Sequence, residues 1–273
     1  MLEIHEHVLA PPAGTGCIRE LRLNRPPVNG LNPALVDSLI DELASLDQEV
    51  RAVIVSGQHG VFSAGLDVPA LLKLDHRGIA KYFGSLWRLQ ALLATCRVPL
   101  LYAITGHCPA GGTVLALYGD YRVMAQAVAG EQPYRIGLNE VQVGLTPGPL
   151  IQAAFARIVG AHAAAQLLTR GALVDSAQAL RLGLVDELAP PLLVVERTVE
   201  VAREITRAPL QAMRRARDCA RQDLVLLFGP PQEAAARAAK FADDAAQVWW
   251  SEEAQATLQH LFAKRGSDSR SCR

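Results

Sequence analysis

Two short stretches carry residue types that could act together on a carbonyl compound. One spans residues 98–112, VPLLYAITGHCPAGG, and the other residues 137–144, GLNEVQVG. The first reads as a buried strand that breaks at Gly106, bends at Pro109 and enters a helix through Gly111 and Gly112. A helix start offers backbone N–H groups with no intrahelical partner, together with the positive end of the helix dipole. Glycine lets a ligand approach that backbone closely, and such a turn stabilises negative charge developing on an oxygen. The second stretch sets a single carboxylate, Glu140, among apolar residues. An anion-stabilising turn and one semi-buried carboxylate are what proton abstraction next to a carbonyl requires.

The elements around these stretches alternate between strand and helix. Residues 1–23 contain two short apolar runs separated by Pro11-Pro12-Ala13-Gly14, a hairpin pattern. The loop 24–30, NRPPVNG, leads to Asn32 as N-cap and Pro33 at the first helical position, with Leu35, Leu39, Leu43 and Leu46 at helical spacing. The run 51–56, RAVIVS, reads as a buried parallel strand. A second amphipathic helix begins at Asp75 or His76, with Ile79, Phe83, Leu86, Leu89 and Leu93 on one face. Strands are expected at 98–104, 120–124 and 134–136, and helices at 110–117, 148–159, 161–170 and 175–181. From residue 192 the pattern is helical almost throughout. This order implies an α/β core over 1–190, a helical C-terminal region over 191–266 and a disordered polar tail at 267–273.

With Lys+Arg and Asp+Glu equal at 27 each, no whole-chain field favours nucleic acid or an anionic membrane. Five cysteines scattered without a CxxC pair point to a reducing compartment. The N-terminus shows no signal-peptide pattern, and the most apolar long stretch, 150–168, is interrupted by Gln152, Arg157, His162 and Gln166, so no membrane span is expected. The expected location is cytoplasmic, or an organelle matrix in a eukaryote. His5-Glu6-His7 does not make a metal site, because neighbours on a strand point to opposite faces. Plainer readings exist for the chemical residues as well. Glu140 also fits a surface carboxylate at a helix start, and Gly111-Gly112 also fit tight helix–strand packing. Cys108 reads as a small packed residue and His107 as structural.

Seven segments, in order, resemble the crotonase, or enoyl-CoA hydratase/isomerase, superfamily: NRPPVNGLN (24–32), AVIVSG (52–57), VFSAGLD (61–67), ITGHCPAGG (104–112), DYRVMA (120–125), NEVQVGLTPG (139–148) and ALRLGLVDEL (179–188). The resemblance implies a spiral of ββα turns followed by a helical trimerisation region. It implies acyl-CoA thioesters as substrates, a homotrimer or hexamer, and no cofactor or metal, CoA being part of the substrate. The oxyanion donors it implies are the N–H groups of Ala64 and Gly111. Residues 64–67 (Ala64, Gly65, Leu66, Asp67) would line the CoA pocket with Gly111 and Asn139, the loop 24–30 would contribute to it, and Phe262 and Lys264 would reach CoA from the last helix.

One departure from the family pattern bears on the reaction. Hydratases of this family carry a glutamate two residues after the last glycine of the glycine turn, where this chain has Val114; the second family glutamate is present as Glu140. Hydration must activate water and deliver a proton, a task two carboxylates can share. Moving a double bond from C3–C4 to C2–C3 needs one group that takes a proton from C2 and returns it at C4. FSAGLD, CPAGG and IGLNE together are most similar to the Δ3,Δ2-enoyl-CoA isomerases of the family. The expectation is therefore a fatty-acid β-oxidation isomerase in which Glu140 acts alone, desolvated by Val114, Leu138 and Val141. The alternatives are a hydratase, another CoA-ester lyase or hydrolase, or a silent CoA-binding oligomer.

Overall fold

The structure, a computed structural model, describes residues 1–9 and 15–268, excepting the side chains of 262–268. The hairpin turn 11–14 and the end of the tail, 269–273, lie outside the described residues. Among the described residues ten strands form two sheets. The larger has the order β1-β2-β3-β5-β7-β10, and the smaller β4-β6-β8-β9. β1 (Leu2–Val8) and β2 (Cys17–Leu23) are the antiparallel hairpin read from the sequence. From β2 to β10 the larger sheet is parallel: β3 (Val50–Ser56), β5 (Leu100–Ile104), β7 (Tyr121–Ala125) and β10 (Glu187–Ala189). The buried, β-branched character of β3 follows from its place in the middle of that sheet.

The chain repeatedly runs one strand in the larger sheet and the next in the smaller. β3 is followed by β4 (Gly60–Val61), β5 by β6 (Gly106–Pro109) and β7 by β8 (Arg135–Gly137); β9 (Val174–Asp175) completes the smaller sheet. The crossing from β5 to β6 needs glycine. A Cβ on Gly106 would lie 2.0 Å from the Gly60 carbonyl carbon, so the two strands meet only because that side chain is absent. Neither two-residue strand is visible as alternation in the sequence, and 106–109 reads there as a turn, because all three are too short to show a period.

The helices largely follow their sequence signals. Asn32 caps α1 (Pro33–Ala44), accepting from Leu35 N–H at 2.9 Å, and Leu46 falls beyond the helix end. Asp67 caps the short α2 (Val68–Leu71), and Asp75 caps α3 (His76–Ala94), accepting from Gly78 N–H at 2.7 Å. α4 (Gly111–Ala116) follows the glycine turn. α5 (Pro149–Val159), α6 (Ala161–Arg170) and α7 (Ser176–Arg181) precede β10, and α8 (Val194–Thr206) packs against β3, β5 and β7. α9 (Leu210–Ala220), α10 (Gln222–Leu226), α11 (Ala234–Trp249) and α12 (Glu252–Asp268) complete the chain. α12 runs into the stretch expected to be a disordered tail. α11 lies along α3, with Trp249 edge-on to Phe83 (centroids 6.3 Å apart). No described helix is long and apolar enough to cross a membrane.

α9 fully buries none of its side chains, and polar contacts hold its end to the core. Arg217 and Arg221 both bind Asp120, at 2.8 and 2.9 Å, and reach the carbonyls of Cys96, Leu93 and Ala94 at the end of α3. The helical pattern of this region is interrupted at Arg221, between the end of α9 and the start of α10. Removing Asp120 would leave two largely buried guanidinium groups uncompensated. Asp120→Ala is expected to cost roughly 3–5 kcal/mol, whereas Asp223→Ala, which removes the exposed Arg157–Asp223 pair, should cost no more than about 1 kcal/mol. Urea unfolding of the two variants measures the difference.

Candidate active site

Strands β4, β6 and β8 pair in parallel, with Gly60 opposite Gly106, Val61 opposite His107, Cys108 opposite Ile136 and Pro109 opposite Gly137. Their C-terminal ends therefore deliver three segments to one side of the small sheet: 62–67, 109–112 and 138–140. These contain the oxyanion-turn and carboxylate residues singled out in the sequence. Thr113, fully buried in α4, ties two of the segments together. Its Oγ1 accepts from Gly137 N–H (2.9 Å) and lies within donating distance of the Cys108 and Gly137 carbonyls, while Ala110 N–H donates to Gly137 O (2.8 Å). The turn that starts α4 is thus bonded to the end of β8, the strand that leads to Glu140.

The turn itself is strained. Ala110 has φ 49° and ψ −122°, a region that L residues rarely occupy. Gly65, at φ +88°, packs against it so tightly that a Cβ there would stand 2.9 Å from both the Ala110 Cβ and the Gly111 nitrogen. The backbone of 65–66 and the N-terminus of α4 are therefore in direct contact.

The structure corrects one expected oxyanion donor. The Ala64 N–H donates to Val28 O at 2.9 Å, and Ala64 does not line the cavity. The loop 24–30 occupies that donor: Asn29 Nδ2 bonds the Phe62 carbonyl (2.9 Å), and Ser63 Oγ bonds the Asn29 carbonyl (2.8 Å). Two residues later the situation differs. Leu66 bridges Leu31 through its neighbours, Leu31 N–H to Gly65 O (2.8 Å) and Asp67 N–H to Leu31 O (3.3 Å). The Leu66 N–H is left without a partner among the described residues, and so is that of Gly111. Leu66 and Gly111 both line the cavity. The unspent pair is Leu66 and Gly111. The positive φ that a glycine before Leu66 permits is the sequence signal that could have located it.

The cavity has a volume of about 350 Å³. Its walls come from the core, including Leu31, Leu86, Val114 and Leu115, and from α11, through Phe241 and Val248. Glu140 opens a 3₁₀ turn at 140–143 after β8. The chain turns back at Gly144, where φ is 73°, so that Leu145 N–H donates to Glu140 O (3.0 Å), and both residues line the cavity. The residue as a whole is half-buried, but its Oε2 is sealed from solvent and has no hydrogen-bond partner among the described residues. Burial without a compensating charge pushes its pKa up to about 7. Asp244 also borders the cavity, but it is exposed and paired with Lys240.

The surroundings of Glu140 differ from expectation in one respect. Val114 and Leu138 are buried, but Val141 is exposed and packs toward Gly171; Leu145 supplies apolar cover in the cavity wall instead. Asn139 is half-buried and Asp67 half-buried, and neither lines the cavity. Asp67 accepts from Ala70 N–H (3.1 Å) and pairs with Arg25 (2.5 Å), which holds the 24–30 loop against the turn after β4. Cys108 is fully buried and its thiol is pushed up by burial, as a packed residue would be. His107 stacks edge-on to Tyr134 and accepts from Arg135 N–H. The side chains of Phe262 and Lys264 lie outside the described residues. Among the described residues no three metal-ligating side chains cluster.

The raised pKa of Glu140 has a consequence for stability. Between about pH 4.5 and 7 the unfolded chain has released a proton that the folded chain keeps, so stability falls as pH rises through that window. Above pH 7 the folded state carries a desolvated carboxylate at a cost of up to about 3 kcal/mol. Glu140→Gln removes that cost. Thermal melts should show the variant gaining on the parent from about pH 4.5 upward, with the gain level above about pH 7. Parallel profiles across that range would mean the carboxylate is hydrated.

Residues 14–244 match the family model described as enoyl-CoA hydratase/isomerase. The mitochondrial enoyl-CoA delta isomerase 1 of Rattus norvegicus is 33% identical over 189 residues, which make up 68% of this chain and 64% of the rat protein. Its Homo sapiens counterpart is 35% identical over 186 residues, 67% of this chain and 60% of the human protein. The match thus spans less than two thirds of those isomerases. A Mycobacterium avium (strain 104) protein named probable enoyl-CoA hydratase echA17 is 35% identical over 202 residues, covering 72% of this chain and 75% of its own. The crystal structure of human mitochondrial delta3-delta2-enoyl-CoA isomerase superposes with a TM-score of 0.83 at 26% identity, over 98% of both chains. The paired sheets, the glycine turn and the helical C-terminal region are those of the crotonase fold, and this chain belongs to the enoyl-CoA hydratase/isomerase family.

Proposed function

We propose that the protein is a Δ3,Δ2-enoyl-CoA isomerase in which Glu140 is the single acid/base. The observation that carries this reading is the unpartnered, desolvated carboxylate oxygen of Glu140 in a cavity that also presents the free N–H groups of Leu66 and Gly111. The two N–H groups hold the thioester oxygen. Ionised Glu140 takes the proton from C2, the C2–H electrons form C1=C2, and negative charge moves to the oxygen. When the carbonyl re-forms, C1=C2 becomes C2=C3, and the former C3=C4 pair takes the same proton at C4. Glu140 returns to its ionised form, so no proton or electron is gained or lost. A pair of oriented N–H groups suits this chemistry because each such donor is worth roughly 2.7–4 kcal/mol of barrier. The steps require no cofactor beyond the CoA of the substrate.

Hydration is the second reading, supported by the hydratase name of the Mycobacterium avium relative. Against it stands Val114, buried in the cavity wall where a second carboxylate would have to sit. We also infer that the chain works as a homotrimer or hexamer, a reading supported by the outward-facing Leu192, 82% exposed, and Leu226.

Purified protein assayed on paired medium-chain 3-enoyl-CoA and 2-enoyl-CoA should isomerise the first and leave the second unhydrated. Glu140→Gln is expected to lower isomerisation by about 10²–10⁴-fold. In the parent enzyme kcat/KM should rise with pH and level off above about 7, because the base must be ionised. Hydration without isomerisation, or an active Glu140→Gln variant, would overturn the mechanism.

A further inference from the structure

Most of the polar side chains that border the cavity, Thr146, Gln152 and Asp244, are exposed and mark its mouth. Two others lie further in. Glu140 is one. The second is Gln90, on the buried face of α3 beside Leu89, and only 2% exposed. The mechanism above makes no use of it.

The orientation of the Gln90 amide is fixed by its neighbours. One end lies 3.2 Å from the Leu86 carbonyl, which can only accept, so that end is Nε2. The other end is therefore Oε1, and it accepts from the Tyr118 hydroxyl at 2.8 Å. Tyr118 is itself fully buried. An amide nitrogen carries two hydrogens. Leu86 takes one, over a long bond, and no described residue takes the other. A buried donor left unpaired is costly. Leu86, Leu89 and Leu115 share the cavity lining with it, so an all-hydrocarbon chain packed there would leave the donor unpaired.

We propose that Gln90 is a specificity-determining residue that takes an oxygen on the acyl chain, a hydroxyl or keto group far from the thioester, through its free Nε2 hydrogen. The preferred substrates are then oxygenated acyl-CoA thioesters. This rests on the acyl-CoA reading above and adds the chemistry of the chain. A site built around a buried donor discriminates against the analogue that lacks the acceptor, because the donor is then left unsatisfied.

Calorimetry with saturated medium-chain acyl-CoA thioesters tests the proposal without turnover, each plain chain being compared with its terminally hydroxylated counterpart. The comparison is made in the parent protein and in Gln90→Met combined with Tyr118→Phe. Methionine keeps the unbranched shape, and phenylalanine removes the hydroxyl that would otherwise lose its acceptor, so the double variant leaves no orphaned polar group. The hydroxylated-to-plain affinity ratio is expected to fall by about tenfold or more in the double variant. An unchanged ratio, with both chains still bound, would overturn the role of Gln90 and leave the acyl-CoA reading standing; it is also the result expected if water satisfies the amide. Failure of both chains to bind the parent protein would overturn the acyl-CoA reading and this inference with it.

Discussion

The site depends on holding the Glu140 carboxylate in an apolar cavity with no charged group to pair it. A buried carboxylate usually lowers its energy by finding a cation or several donors, as Glu20 does with His7, Ser56 and Arg22, which bring its pKa down to about 2. Glu140 has no such charged partner, and desolvation outweighs the one opposing hydrogen bond, from its own backbone N–H, in setting its proton affinity. The two carboxylates of one chain show how the environment divides their protonation: one is paired and locks the N-terminal hairpin to the sheet, the other is desolvated and holds its proton to higher pH. Confining an unpaired group in this way works only if the surrounding backbone cannot rearrange to rescue it. The short parallel strands β4, β6 and β8, the Thr113 bridge and the strained Ala110 together supply that rigidity.

The cavity is not a property of the ββα core alone. Phe241 and Val248 bring α11 into its wall, and α11 is set in place along α3. The polar clamp of Arg217 and Arg221 on Asp120 fixes the preceding α9–α10 segment to the end of the same α3. Hydrophobic closure of the site from outside the sheets therefore depends on contacts far from the carboxylate in sequence.

Much of this was legible in the chain. Asn32, Asp75 and Pro33 announced their helices because capping is local chemistry, and the β-branched run at 51–56 announced a buried strand. Glu140 and Gly111 stood out because a carboxylate among apolar residues and a double glycine before a helix have few uses. What the sequence hid was set by tertiary contact. Ala64 looks as suitable an oxyanion donor as Leu66 until the 24–30 loop is seen to occupy its N–H. Val141 reads as cover for Glu140, but the 3₁₀ turn points it outward and Leu145 takes the place. Thr113 carries no signal in the sequence, since its bonds reach residue 137. The break at Arg221 follows from a partner a hundred positions earlier.

The most direct test is titration of the Glu140 carboxyl itself, by infrared difference spectroscopy of the parent protein against Glu140→Gln across pH 3 to 9. A carboxyl band lost with an apparent pKa near 7, and absent from the variant, is the predicted result. A band that disappears near 4.5 would mean that water or a cation reaches Glu140, and the desolvated single-carboxylate site would be contradicted.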